Sequence, residues 1–297
     1  MTQSTIARRV SCRGHGLHGG DPVAMALEPA EPGSGVVFVV RSLESGQHAV
    51  EIPARAELVR STARATTLAL PEAVLPSGPQ ITTVEHLLAA LFAFRIDNVR
   101  VVMEGREIPV MDGSAAPFAA LLREAGRAAQ PAPRRELVLR RRLEVGGGDR
   151  WIHAEPCDAF RISYAIDFPH PCIGRQTFEM ARLDPGLFER ELAGARTFGF
   201  AHEVEALREA GLARGGSFEN TLVLDEQSVL NDAGLRWPDE FVRHKVLDLL
   251  GDLVLLGAPL RAHLIVEKGG HGLHLELVKA LLAAPELLER CDQTVAA

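Results

Sequence analysis

Two hydrophobic periods alternate along this chain, and the switches between them mark its elements. Short runs rich in Val, Ile, Tyr and Phe, such as "VVFVV" and "RISYAIDF", have the β-branched and aromatic character of strands. Apolar residues that return every three or four positions predict helices in "TVEHLLAALFAF", "AAPFAALLREAG", "FVRHKVLDLLGDL" and "LHLELVKALLAA". The order helix, turn, strand occurs in "TVEHLLAALFAFRIDNVRVVMEG" and again in "FVRHKVLDLLGDLVLLGAPLRAHLIVEKGG", with a further helix after each. Two related α+β units are therefore expected. The stretch "LLREAGRAAQPAPRRE" between them reads as a linker and divides the chain into domains 1–128 and 135–297. "RTFGFAHEVEALREAGLARGGSFENTLVL" predicts a helix from about His202 to Leu212, closed by glycines, and then a strand.

Composition narrows the class. The 297 residues are 46% apolar and 24% charged, as in an ordinary globular protein with a sizeable core. A net charge of −7, from 32 basic and 39 acidic residues, argues against a nucleic-acid protein and leaves room for a small anionic ligand. Cys12, Cys157, Cys172 and Cys291 form no CxxC pair, which fits buried thiols of a reducing compartment. The chain has no secretory pattern at "MTQSTIARRV" and no uncharged apolar run of about 18 residues, so a soluble cytoplasmic protein is expected.

The polar faces of the predicted helices carry the candidate chemistry. His244, Asp248 and Asp252 recur every four residues in "RHKVLDLLGDL" and would lie within about 80° of arc on a helix. His and Asp at i and i+4 can share a metal ion. Alone, that spacing is more often a wet helix face. His86 falls in the first turn of another helix, where the dipole disfavours protonation, so it can act as a neutral ligand. Glu85 beside it suits a base that takes a proton from metal-activated water. The competing account is a capping box, Thr82-x-x-Glu85. In "EKGGHGLH", His271 follows a strand and two glycines on a loop, a position suited to a general acid oriented by Asp252. Lys268, just past that strand, is placed to meet an anion. Thr197 in "ARTFGF" could donate to an oxyanion, or simply bond a nearby backbone group. "IPVMDGSAAPF" has a structural account: an Asp112-Gly113 turn, Ser114 as helix N-cap and Pro117 in the first turn.

Seven stretches together resemble the UDP-3-O-acyl-N-acetylglucosamine deacetylases, the zinc amidases of lipid A biosynthesis. They are "GLHGGDPV", "TTVEHLLAAL", "DNVRVVMEGREIPVMDGSAAPF", "DFPHP", "ARTFGF", "FVRHKVLDLLGDL" and "KGGHGL", in the family's order from about residue 5 to 285. The resemblance implies an α+β fold of two domains of similar topology, each a β-sheet with helices, the helices sandwiched between the sheets. It implies one Zn2+ per chain held by His86, His244 and Asp248, with Glu85 as base and His271 as the acid for the leaving amine. Asp252 would hold His271, and Thr197 would bind the tetrahedral oxyanion. Lys245 and Lys268 would contact substrate, the latter near the diphosphate. Asp167 and Phe168 would sit by the uracil. Phe198, Phe200 and the segment to about Val223 would form the acyl-chain passage. His18 of "GLHGG" would also face substrate. The implied partner is the UDP-linked acylated aminosugar, bound by a monomer. The implied reaction releases acetate and a free 2-amino group.

Two stretches depart from the family's pattern. "STARATTLAL" stands where many members have a Met-Leu-Cys loop, and Gly269 and His274 stand where Ser and Asn are common. No ligand or acid–base group is lost by either change, so they bear on fine substrate contacts such as acyl length. Two rival readings are an amidohydrolase of another acylated sugar and a zinc-stabilised sugar-nucleotide binding protein. The second predicts a degraded acid–base pair, whereas Glu85 and His271 are both present.

Overall fold

Two five-stranded sheets of identical strand order frame the protein. The computed structural model describes residues 1–41, 49–72, 74 and 78–292. Residues 42–48, 73, 75–77 and 293–297 of the two expected domains lie outside the described residues. The first sheet runs Val10–His15, Pro22–Pro29, Val99–Glu104, Val36–Arg41, Ala49–Pro53. Its central strand, Val99–Glu104, is antiparallel to Pro22–Pro29 and parallel to Val36–Arg41. The second sheet repeats this plan with Leu143–Gly147, Arg150–Glu155, His263–Glu267, Arg161–Phe168 and Gly174–Met180. Again the central strand, His263–Glu267, is antiparallel to one neighbour and parallel to the other. The faint repeat of helix, turn and strand in the sequence is thus a repeat of topology.

The described residues contain six α-helices: α1 (Glu85–Ala93), α2 (Ala116–Ala125), α3 (Pro185–Glu191), α4 (Val204–Glu209), α5 (Glu240–Leu253) and α6 (His271–Ala283). In each half one helix leads to the central strand, α1 or α5, and another follows it, α2 or α6. Helix α1 packs on α5 and α5 on α6, while α5 also lies against Arg161–Phe168 and Gly174–Met180. In α1 every residue but Phe92 is buried. A helix apolar on nearly all sides belongs in an interior, and that is where α1 sits. Inward residues of both sheets, among them Phe38, Ile52, Met103, Ile152, Ile162 and Val266, join the helices in one core. The helices therefore lie between the sheets, as expected.

Two local expectations are corrected. The stretch read as a linker is a strand, Arg127–Pro133, paired antiparallel with Thr2–Ile6. Two prolines without N–H donors are tolerated there because the ribbon has only two strands, so one edge needs no donors. The helix expected over His202–Leu212 is shorter: a 3-10 turn at Ala201–Glu203, then α4 to Glu209. No residue of α4 is buried, so no tertiary contact extends it past one and a half turns. The strand expected after it is present at Leu222–Leu224.

Candidate active site

Helices α1 and α5 meet at a point where apolar packing gives way to buried imidazoles and carboxylates. Glu85 and His86 open α1, and the backbone just before them is strained, with Thr83 at φ 60. That conformation is held by the Thr83 hydroxyl, which donates to Glu107 Oε1 at 2.9 Å. The same buried carboxylate accepts the N–H groups of His18 and Gly19, both at 2.9 Å. Glu107 therefore ties the "GLHGG" loop to the start of α1. The capping-box account of Glu85 is excluded by its partners. Its Oε2 accepts the N–H of Thr66 at 3.1 Å, and the Thr82 hydroxyl bonds Thr67 instead.

His244 and Asp248 face His86 from α5. The Nδ1–H of His244 donates to the Ala195 carbonyl at 3.0 Å, which fixes the tautomer and leaves the Nε2 lone pair free. Nε2 of His244 lies 3.4 Å and Nε2 of His86 lies 3.8 Å from Asp248 Oδ1. One ligand atom from each of the three residues can be chosen so that all lie within 4.8 Å of one another. Asp248 Oδ1 is buried with no hydrogen-bond partner, although its Oδ2 accepts from Lys245 Nζ at 2.7 Å. A buried carboxylate oxygen without a partner is costly unless a cation completes it. Burial, and next His244, lowers the pKa of His86 to about 3, so its ring is neutral at physiological pH. Burial likewise lowers that of His244. Burial alone would raise Asp248, but Lys245 and the surrounding imidazoles hold it well below the usual carboxylate range. Two neutral nitrogens and one carboxylate are a donor set suited to zinc, with room for a fourth position.

His271 is the first residue of α6, not part of the loop before it. Its Nδ1 lies 2.8 Å from Asp252 Oδ2, while Nε2 faces the cluster, 3.9 Å from both Glu85 Oε1 and Asp248 Oδ2. Burial works against its charge, but Asp252 and then Asp248 outweigh it and raise His271 to about 10. Burial, opposed by His271, raises Glu85 to about 7. A carboxylate poised near neutrality and a protonated imidazole thus confront each other beside His86, His244 and Asp248. Such a pair can take a proton and give one.

Sequence reasoning missed several supporting residues. Thr66, in the stretch noted only as a departure, donates its hydroxyl to Asp252 Oδ1 at 2.7 Å besides holding Glu85 through its N–H. His274 places Nδ1 2.8 Å from Asp252 Oδ2, and its Nε2 is 3.0 Å from the Tyr164 hydroxyl. Asp252, His271 and His274 form a second group with metal-ligating side chains. Both rings, however, point Nδ1 at one carboxylate oxygen at hydrogen-bond distance, so the group is satisfied without an ion. Thr66 and Glu107 lie on no polar period, and His274, one turn after His271 on α6, gains its role only from its contacts with Asp252 and Tyr164.

The remaining expected residues divide by location. Phe198 bridges Phe241 and Phe168, with ring centroids 5.0 and 5.7 Å away, and lies 6.3 Å from His244. Phe200 stands 6.3 Å from Phe168, and Lys245 Nζ sits 5.5 Å over the Phe198 ring. An aromatic wall therefore begins directly beside His244 and Lys245. Thr197 immediately precedes Phe198: its N–H donates to the Gly113 carbonyl, and it lies two residues beyond Ala195, whose carbonyl holds His244. Lys268, at φ 50, pairs with Asp167 at 3.0 Å and with Asp149 at 3.4 Å. His18 accepts the Ala213 N–H on Nδ1 at 3.4 Å, while its Nε2 is buried without a partner. Of the structural account of "MDGSA" the turn stands, with Gly113 at φ 82 packed on Asn220 and Asp112 paired with Arg236 at 2.9 Å, but the cap is corrected from Ser114 to Ala115. Ser114 lies one residue before the cap and accepts the Ala116 N–H at 3.2 Å.

Known proteins are similar to this chain over nearly its whole length. The family model described as LpxC, UDP-3-O-acyl N-acetylglycosamine deacetylase, matches residues 3–283. A UDP-3-O-acyl-N-acetylglucosamine deacetylase of Anaeromyxobacter sp. (strain Fw109-5) is 48% identical over 283 residues, covering 95% of this chain and 89% of the relative. One from Myxococcus xanthus (strain DK1622) is 48% identical over 287 residues, 97% of this chain and 88% of its own. One from Oleidesulfovibrio alaskensis is 46% identical over 287 residues, 97% and 91% of the two chains. By fold, buried site and near full-length similarity, the chain belongs to the UDP-3-O-acyl-N-acetylglucosamine deacetylase family.

Proposed function

We propose that this protein is a zinc-dependent amidohydrolase whose site is built from His86, His244, Asp248, Glu85 and His271. Its reaction is the deacetylation of UDP-3-O-acyl-N-acetylglucosamine, the committed step of lipid A biosynthesis. The observation that carries the zinc reading is the orphaned Asp248 Oδ1, facing two imidazole Nε2 atoms beside an acid–base pair. His86, His244 and Asp248 would hold one ion. When bound, zinc lowers the pKa of water to about 7 and polarises a carbonyl.

The protein's own groups do the rest. Glu85, held on Oε2 by the Thr66 N–H and facing His271 with Oε1, takes the proton as water attacks the amide carbon. Thr197 donates to the oxyanion that forms. His271 Nε2, kept protonated by Asp252, delivers a proton to the departing amine. The C–N bond then breaks to acetate and the free 2-amino sugar. Buried surroundings strengthen each of these interactions by keeping bulk water away.

Substrate would lie across the same opening. Lys245 and Lys268 meet the sugar and diphosphate, Asp167 and Phe168 the uracil, and His18 the near wall. The acyl chain follows Phe198, Phe200 and the segment to Val223. What supports the last assignment is the aromatic wall that starts at the ligands. We further propose two domains, 1–128 and 135–297, in a monomeric cytoplasmic enzyme. No helix of the described residues is long and apolar enough to cross a membrane.

The test is deacetylase activity on the UDP-linked substrate before chelation, after it, and after zinc return, with metal content measured in parallel. Activity that survives complete removal of metal would remove the zinc reading. Equal activity on an unlinked acylated sugar would remove the assignment of a UDP site.

A further inference from the structure

Asp252 accepts more hydrogen bonds than an orienting carboxylate needs. Its Oδ1 takes the Thr66 hydroxyl, and its Oδ2 lies 2.8 Å from both His271 Nδ1 and His274 Nδ1. His274 is fully buried, and so, within 1%, is Tyr164, whose hydroxyl lies 3.0 Å from His274 Nε2. The run Tyr164–His274–Asp252–His271 is therefore a continuous buried chain from the second sheet to the site.

We propose that Tyr164 and His274 are positioning residues: they form a strut that fixes the Asp252 carboxylate, and through it the ring of His271. Hydrogen-bond direction makes the chain self-consistent. Oδ2 of an ionised Asp252 can only accept, so Nδ1 of His274 carries a hydrogen. A neutral His274 then has a lone pair on Nε2, and the phenol must donate to it. Burial favours both of these states, keeping His274 neutral and Tyr164 protonated. The backbone is shaped to admit the phenol. A methyl group at Gly269 would overlap the Tyr164 hydroxyl and come within 3.0 Å of its Cζ. Gly269, Tyr164 and His274 thus act as one unit, and the glycine and the histidine are the two departures seen in the "KGGHGLHL" stretch.

The proposal rests on the role of His271 as acid, and its test separates the two. Histidine-labelled nitrogen NMR on the intact protein reads the tautomer of His274 without substrate. The parent should show hydrogen on Nδ1, and Tyr164→Phe, which leaves Asp252 as acceptor, should keep that tautomer while the Nε2 resonance moves to that of an unbonded imine nitrogen. In turnover, His274→Leu should lower kcat by about 10-fold or more with KM and metal content unchanged. His274→Asn, whose amide can donate from the place of Nδ1, should recover most of that loss. Tyr164→Phe should lower kcat by about 3-fold, and as a one-oxygen change it keeps the test open if His274→Leu does not fold. A parent with hydrogen on Nε2 of His274, or a His274→Leu kcat within about twofold of the parent, would overturn the strut. His271→Ala measured alongside removes the underlying acid role, and with it this proposal, if its turnover is normal.

Discussion

Gly251 of α5 lies against Glu85 of α1 so closely that a methyl group there would overlap the Glu85 carbonyl oxygen and come within 2.7 Å of its carbon. Between Asp248 and Asp252 the helix needs a residue with no side chain, because α1 begins at that point. Gly251→Ala should cost about 1–3 kcal/mol of stability by overpacking. It should also lower metal affinity, because α1 carries His86 and α5 the other two ligands. Chemical denaturation with metal titration checks both. A fully stable variant would show that the contact relaxes easily.

Glu85→Gln keeps the shape of the side chain and removes its ability to take a proton. With the base assignment correct, zinc content stays near one per chain and kcat falls by about 100-fold or more. Metal analysis and steady-state turnover on the same preparation decide it, and near-normal kcat would sink the base role.

Asp248→Ala should behave in the opposite way, losing metal first. Removing the carboxylate also strips Lys245 of its partner and leaves only the neutral rings of His86 and His244, with centroids 4.9 Å apart, to hold an ion. Zinc affinity should fall by at least about 100-fold, read by competition with a chelator. Full occupancy in the purified variant would argue against the ligand set.

In the metal-free protein, stability should depend on pH through His271. Its folded pKa is raised to about 10 from an ordinary 6.5. The folded state therefore binds the proton more tightly than the unfolded one. That stabilisation is fully present below pH 6.5 and is lost as pH rises through about 10. Glu85, raised to about 7, has the same sign but completes its loss earlier. Between pH 8 and 10 the melting temperature of the chelated parent should fall more steeply than that of His271→Gln. Parallel slopes would show that the imidazolium does not contribute.

Much of this could be read from residue order. The two helix–turn–strand units were visible because α1 and α5 are periodic and their central strands are β-branched. The ligand helix was visible because His244, Asp248 and Asp252 share one stripe. What stayed hidden depends on contacts between distant segments. Thr66 reaches Asp252 across 186 positions and His274 meets Tyr164 across 110, so neither contact has a local pattern. The Arg127–Pro133 strand was hidden for a related reason. Its composition is that of a linker, and it becomes a strand only because Thr2–Ile6 lies beside it. The Thr82–Glu85 spacing misled in the other direction, fitting a cap that the fold does not use.

The shared strand order of the two sheets makes α1 and α5 counterparts, each leading into the central strand of its own half. In the proposed site these counterparts would hold unequal shares of one coordination shell: His86 on α1, His244 and Asp248 on α5. Neither half would then bind the ion alone, and the ion would act as a fastener across the seam between them. Metal affinity then becomes a gauge of how firmly the halves are docked. Heat, denaturant or a mutation that loosens the seam should release the ion before either sheet melts.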